Sequence, residues 1–158
     1  LTAMIAEWGE DKTWELFDKL FDNGMIVQGA NGPALDQVTS GSKGIVFGGV
    51  DYSAYSAKGK GEPLEVVIPS SGTTVTPRPV MIMKSTDNMD AAKAFVDFMF
   101  SEEAQQISAS KNMIPSNKNV DPKNGPKLAD IKQISDDWAA ISKDSKNVRE
   151  QFADRYLK

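Results

Sequence analysis

Hydrophobic positions along the chain follow two patterns, helical spacing and short apolar runs. Leu1, Met4, Ile5 and Trp8 recur three and four residues apart, and Gly9 follows them as a C-terminal cap. This pattern predicts a first helix that ends at Gly9. Because no capping residue precedes it, we expect the chain to begin inside a helix, as a piece of a longer protein.

Helical spacing recurs further along the chain. Asp11 can cap a helix whose apolar stripe stops at residues 23–24, Pro33 occupies a first helical position, and Asn88 and Ser101 are each placed to cap a helix. The predicted helical segments after the first are residues 11–22, 33–39, 51–58, 88–99 and 101–110, with two apolar stripes at 128–141 and 148–156.

Short apolar runs bounded by turn residues predict β-strands at 25–27, 45–47, 64–69 and 80–83. The first two runs alternate with helices, an order that favours a parallel sheet covered on both faces. Residues 75–79 are expected to be extended, since each proline disfavours a helical conformation at the residue before it. The sequence therefore predicts an α/β fold.

Composition narrows the classes of function. The 158 residues are 40% hydrophobic, enough for a core. Their apolar runs are far shorter than the roughly 20 residues that span a bilayer. The formal net charge is −4 and the lysines are dispersed. The basic patch expected of a nucleic-acid-binding protein is thus absent, and we expect no nucleic-acid partner.

The sequence contains no His and no Cys. This absence excludes a Ser-His-Asp triad, a thiolate nucleophile and the ordinary zinc sites. Hard cations held by carboxylate or phenolate, and anions held by backbone N–H groups, remain possible. From the missing His and Cys we predict no catalytic residue, and we also predict no resident metal site and no cofactor.

Residues 29–33, Gly-Ala-Asn-Gly-Pro, precede a predicted helix. A small-residue loop at a helix N-terminus suits an anion, which makes Asn31 and Gly32 candidate ligand-binding residues. The loop matches neither the Walker pattern nor the dinucleotide pattern, and an ordinary turn is the alternative interpretation.

Asp51 and Tyr52 follow a predicted strand, where open α/β sheets bind their ligands. We predict that both face a ligand. Asp51 could instead act only as a helix cap, and Tyr55, one helical turn after Tyr52, is expected to pack rather than bind.

Four segments together resemble bacterial extracellular solute-binding proteins of ABC importers. They are VDY at 50–52, EVVIP at 65–69, GTTVTPRPVMIMK at 72–84 and DAAKAFVDFMFSEEAQQ at 90–106. The branch that they resemble binds ferric iron, phosphonates, sugar phosphates and polyamines, and the resemblance corresponds to the C-terminal half of such a protein.

The resemblance implies part of a type II periplasmic-binding-protein fold, in which two lobes close on a solute. Residues 1–62 would belong to the second lobe, residues 63–84 would cross the hinge, and residues 85–158 would complete the first lobe. The implied partners are a small-molecule solute and the membrane permease of the importer. The implied location is extracytoplasmic, either in the periplasm or lipid-anchored, and an isolated piece could form homo-oligomers through its exposed apolar surface.

The resemblance also bears on the solute. Iron-binding members carry adjacent tyrosines where this chain has Tyr52 and Ser53. The incomplete phenolate pair disfavours ferric iron and favours a phosphate ester, a phosphonate or a similar solute. The nearby Asp51 would contact a hydroxyl or amine of that solute, because a carboxylate repels a bare anion. The alternatives are a ferric-iron receptor, a hydrolase that uses Asp51 with Tyr52, and an α/β signalling domain without a small ligand.

Overall fold

The computed structural model describes residues 1–135 and 137–157, and their regular structure is helical. The α-helices are α1 (Thr2–Trp8), α2 (Glu10–Asp22), α3 (Asn31–Thr39), α4 (Asp51–Gly59), α5 (Met89–Met99), α6 (Glu102–Ser110) and α7 (Trp138–Tyr156). A 3-10 turn covers Leu128–Asp130. None of the described helices combines the length and apolar character needed to cross a membrane.

Several helix ends lie where the sequence predicts them. The N–H of Gly9 donates to the carbonyl of Ile5 at the end of α1, and Ser101 Oγ accepts from the N–H of Ala104 at 3.2 Å at the start of α6. The prediction that Asp11 caps α2 is wrong, because the helix begins at Glu10 and Gly9 takes the N-cap position. Asp11 instead lies in the first turn, where its charge favours the helix dipole.

The apolar stripe at 128–141 is not one helix, and this prediction is wrong. Ile134 is buried, but its N–H donates to the carbonyl of Thr73 at 2.9 Å rather than to a carbonyl of its own helical turn. α7 starts only at Trp138, where Asp137 Oδ1 accepts from the N–H of Ala140 at 2.9 Å. A tertiary backbone contact and a capping side chain thus override the periodicity.

The predicted parallel sheet is not formed among the described residues, so they do not confirm the α/β fold class. Residues 64–69 and 80–83 run outside helices, as predicted, but neither they nor residues 25–27 and 45–47 pair with a neighbouring strand. Pairing between described segments is limited to an isolated parallel bridge between Thr73 and Gln133. A strand obtains its backbone hydrogen bonds from another segment, and within the described residues these four segments are not part of a β-ladder.

Apolar side chains on these segments are consequently exposed. Ile45, Val67 and Met81 keep 83%, 78% and 72% of their accessible surface. An apolar groove of about 280 Å³ lies between residues 80–83 and the face of α5 that carries Phe95. Exposed apolar surface of this kind is typical of an interface.

The chain forms two compact units. Unit 1 comprises residues 1–27, 68–75 and the described residues from 132 onward, and unit 2 comprises residues 28–67 and 76–131. The assignment of residues 1–62, 63–84 and 85–158 to lobes and hinge stays a prediction.

Aromatic rings join the helices of unit 1. Phe17 on α2 meets Phe152 on α7 edge to face at 5.7 Å between centroids, and Phe21 stacks on Tyr156 at 4.2 Å with an interplanar angle of 2°. Ala3 and Met4 of α1 complete the buried cluster, together with Ile134. Ring contacts of this geometry stabilise a core beyond the apolar area that they bury.

Two hydrogen bonds connect residues 1–27 of unit 1 to its described residues from 132 onward. The Oη of Tyr156 donates to Asp18 Oδ1 at 2.5 Å, and the N–H of Ser135 donates to Glu7 Oε2 at 3.1 Å. Burial, with the hydrogen bond and charge of Asp18, raises the pKa of Tyr156 to about 12. Hydrogen bonds thus join α2 to α7, and α1 to the segment before α7, in addition to the apolar packing.

In unit 2, one buried glutamine fixes the loop that follows α6. Gln105 Nε2 donates to the carbonyl of Met99 at 2.7 Å, and its Oε1 accepts from the N–H of Ser116 at 2.6 Å. Both ends of the side chain are satisfied, as a buried amide requires. The proline-rich loop at 111–126 is therefore held against the α5–α6 pair.

We predict that Tyr156→Phe flattens the dependence of unfolding free energy on pH at alkaline pH. Between about pH 10, where an unfolded tyrosine ionises, and about pH 12, the folded protein keeps this proton and the unfolded chain loses it. The contribution to stability is therefore complete below about pH 10 and is lost as the pH rises through 12. Denaturant unfolding of both proteins at a series of pH values measures the difference.

Asp18→Asn is the control for this experiment, because the amide keeps an acceptor but removes the charge. It should lower the pKa of Tyr156, measured by tyrosinate absorbance, without abolishing the contact. Equal losses of stability above pH 10 in the wild type and Tyr156→Phe would contradict the prediction.

Candidate functional site

Unit 2 contains an open groove of about 410 Å³ between α3, α4 and Lys111, the residue after α6. This volume is within the range of small-molecule sites, which is about 300–1,000 Å³. Hydroxyl groups line the groove from both helices: Thr39 from α3, and Tyr52, Ser53 and Ser56 from α4.

The charged side chains of the groove are balanced in number. Asp36 and Glu62 contribute carboxylates, and Lys60 and Lys111 contribute ammonium groups. Lys60 is exposed and at the same time lines the groove. A groove with both signs of charge and several hydroxyls suits a small polar solute better than an apolar one.

Asp51 and Tyr52 occupy the first turn of α4, after Val50. Asp51 Oδ1 accepts from the N–H of Tyr52 at 2.8 Å, so the carboxylate satisfies an N–H that the helix itself leaves free. Asp51 lies beside the groove, whereas Tyr52 lines it. Val50 takes the N-cap position of α4, so Asp51 is not the helix cap of the alternative interpretation, and its predicted contact with a ligand stays a prediction.

The phenol of Tyr52 contacts Arg78. Arg78 Nη2 donates to Tyr52 Oη at 3.0 Å, and the guanidinium carbon lies 5.1 Å from the centroid of the ring. Sequence reasoning missed Arg78, although its position between two prolines was a signal that its backbone is restricted. Lys111 gave no such signal, because it lies 51 positions after Lys60 in the sequence.

Asn31 and Gly32 lie in the first turn of α3 and are exposed. The groove instead meets the later part of α3, at Leu35, Asp36 and Thr39. A Cβ added at Gly32 would meet no atom within 4 Å, so the space beside it is open. The structure therefore does not bring Asn31 and Gly32 into one pocket with Tyr52, and their predicted role stays a prediction.

Tyr55 packs against the loop after α6, as its helical position predicts. A Cβ built on Gly125 would lie 2.5 Å from its hydroxyl oxygen, which places the ring directly against the glycine backbone. Burial raises the pKa of Tyr55, and the negative charges of Asp51 and Glu65 add to this effect. Tyr55 is thus a neutral packing residue at physiological pH.

An ion pair connects the end of α4 to the segment predicted as the third strand. Lys58 Nζ donates to both carboxylate oxygens of Glu65 at 2.7 Å. The hydrogen bond from Lys58, with one from the N–H of Val66, lowers the pKa of Glu65. Within the described part of the chain, no group of three or more acidic residues lies close enough together to hold a metal ion.

Comparison with known families gives a match over residues 1–143 to the family described as bacterial extracellular solute-binding protein. The chain belongs to this family. Membership confirms the resemblance seen in the sequence and the predicted extracytoplasmic location. It also implies the periplasmic-binding-protein fold.

Two relatives show how much of a family member the chain represents. An uncharacterized protein of Haemophilus influenzae is 30% identical over 110 residues, which are 68% of this chain and 31% of that protein. A probable ABC transporter periplasmic-binding protein of Sinorhizobium fredii, y4fP, is 30% identical over 101 residues, which are 64% of this chain and 28% of that protein. The matched part of the chain thus spans less than a third of either relative. No solved structure matches the chain significantly.

We predict that Gly125→Ala destabilises unit 2 by about 1–2 kcal/mol or more. The φ of Gly125 is +76°, where a side chain costs about 1–2 kcal/mol, and the new Cβ would displace the ring of Tyr55. Denaturant unfolding measures the loss.

Gly59→Ala is the matched control, because a Cβ at this helical glycine meets nothing within 4 Å. It should leave stability unchanged or raise it by up to about 1 kcal/mol. Equal effects of the two substitutions would show that Tyr55 does not pack on Gly125 in solution.

Proposed function

We propose that the chain is part of the solute-binding receptor of an ABC importer and that its groove contacts a small polar or anionic solute. The observation that carries this proposal is the position of Tyr52. It lies at the start of α4, lines a groove rich in hydroxyl and charged groups, and belongs to a chain of the solute-binding family. The name of the Sinorhizobium fredii relative supports an ABC transporter as the partner system.

The receptor as a whole would be longer than this chain, as its relatives are. The segments at 45–47, 64–69 and 80–83 would then pair with strands from the rest of the protein, which would cover Ile45, Val67 and Met81. The apolar groove beside Phe95 would be filled in the same way. Without those strands, the same surface would drive self-association of the isolated chain.

The solute that best fits the groove is a phosphate ester, a phosphonate or a similar anion that also carries a hydroxyl or an amine. Lys60 and Lys111 supply positive charge for the anionic group. The carboxylate of Asp51 would accept from the hydroxyl or amine. Ferric iron fits less well, because Tyr52 and Ser53 supply only one phenol at the position that the resemblance singles out.

Closure of two lobes would retain the solute, with residues 1–62 in the second lobe, residues 63–84 at the hinge and residues 85–158 in the first lobe. The closed receptor would deliver the solute to the membrane permease. We propose binding without turnover, because a sequence with neither His nor Cys lacks the usual groups for acid-base and nucleophilic catalysis.

We predict that the full-length natural protein containing this chain melts at a higher temperature in the presence of its solute. A ligand at 100 times its dissociation constant stabilises the native state by about 2.7 kcal/mol. The compounds to test are inorganic phosphate, glycerol 3-phosphate, an aminoalkylphosphonate, spermidine and ferric citrate. Thermal unfolding with each compound measures the response, and we expect glycerol 3-phosphate or the aminoalkylphosphonate to give the largest.

Tyr52→Phe should weaken binding of the responding compound about fivefold to tenfold, since one hydrogen bond is worth about 1 kcal/mol. Tyr55→Phe is the matched control and should leave affinity unchanged, because Tyr55 packs on Gly125. A response to ferric citrate alone would favour the iron receptor, and no response to any compound would refute the proposed solute class.

A further inference from the structure

Arg78 is held next to the groove by the side chain of Tyr52. Its Nη2 donates to the phenol oxygen at 3.0 Å, and its guanidinium lies 5.1 Å from the ring centroid. Both residues belong to unit 2. The contact uses the ring and the hydroxyl together, so it restricts the direction of the guanidinium as well as its position.

The charge of Arg78 is not neutralised by any residue that the structure describes. The ion pairs among these residues all join a lysine to a carboxylate. Arg78 is exposed, and a guanidinium has five N–H donors, of which the described contacts use one. Positive charge and free donors are therefore available beside Tyr52.

The backbone around Arg78 is restricted by proline on both sides. Pro77 fixes its own φ, and Pro79 disfavours a helical conformation at Arg78. A loop whose backbone is already restricted loses less backbone conformational entropy when one of its side chains binds a ligand. Arg78 is thus better prepared to bind than an arginine on an unrestricted loop.

A guanidinium suits an oxyanion better than a lysine does. Its planar fork can donate two parallel hydrogen bonds to two oxygens of one phosphate, phosphonate or carboxylate group. It would also offset the repulsion between Asp51 and an anion bound near Tyr52.

We infer that Arg78 binds the oxyanion group of the solute and that Tyr52 positions its guanidinium. The inference rests on the proposed function, in which Tyr52 faces a small polar solute. It adds the residue that selects for negative charge, and it applies to any solute that carries an oxyanion.

The test is calorimetric titration of the full-length natural protein with glycerol 3-phosphate, an aminoalkylphosphonate and glutamate, and with glycerol as the neutral probe. Arg78→Gln should weaken binding of the oxyanion about tenfold to a hundredfold, the effect of losing hydrogen bonds between charged groups. Arg78→Lys keeps the charge without the fork and should give an intermediate loss. The unliganded variants should melt near the wild-type temperature, because Arg78 is exposed.

Arg149→Gln is the matched control. Arg149 is an exposed arginine of unit 1 whose Nε donates to the carbonyl of Ser145 on its own helix. This variant removes the same charge from a residue that does not line the groove, and it should keep affinity within about twofold at physiological ionic strength, where salt screens exposed charges.

The positioning role of Tyr52 has its own measurement. If Tyr52 acts through Arg78, then Tyr52→Phe should cost little further affinity for the oxyanion in a protein that already carries Arg78→Gln. Losses that add fully in the double variant would overturn the positioning role.

The outcomes separate the inference from the proposed function. Unchanged oxyanion affinity in Arg78→Gln, with the wild type binding a probe, would overturn the inference and leave the receptor proposal intact. Binding of glycerol alone by the wild type would also overturn it. A wild type that binds none of the four probes would count against the proposed solute class and the inference together.

Discussion

Backbone hydrogen bonding is the constraint on which the described structure depends. A helix satisfies its N–H and C=O groups from its own sequence, whereas a strand needs a second segment. The regular structure of the described residues is accordingly helical, and their β-type pairing is limited to the isolated bridge between Thr73 and Gln133. The exposure of Ile45 and Val67 follows from the same constraint, since neither residue belongs to a sheet whose face could be covered by other elements.

Local features of the sequence were enough to predict most helix ends. Gly9 and Ser101 act through contacts with residues only three or four positions away, so their roles are visible in a short window of sequence. The prediction of one helix over 128–141 was wrong because the backbone N–H of Ile134 donates to the carbonyl of Thr73, which is 61 positions earlier. The same limit applies to the sheet: apolar runs indicate segments that can become strands, but pairing depends on distant residues.

In the candidate site, too, the sequence predicted the features that depend on nearby residues and missed those that depend on distant ones. The sequence identified the helix start that carries Asp51 and Tyr52, and it predicted the packing of Tyr55 from its spacing. It did not identify Arg78 or Lys111, because their proximity to α4 arises from the tertiary structure. The expectation for Asn31 and Gly32 rested on helix-terminus chemistry alone, and the groove meets α3 nearer its other end.

The hydrogen bond between Tyr156 and Asp18 joins residues 138 positions apart, and that between Ser135 and Glu7 spans 128. The first two helices therefore cannot bury their aromatic face until α7 has been synthesised. Contacts of such high sequence separation slow folding and leave apolar surface exposed in the growing chain. α7 follows all of unit 2 in the sequence, so the core of unit 1 can be completed only after unit 2 has been synthesised.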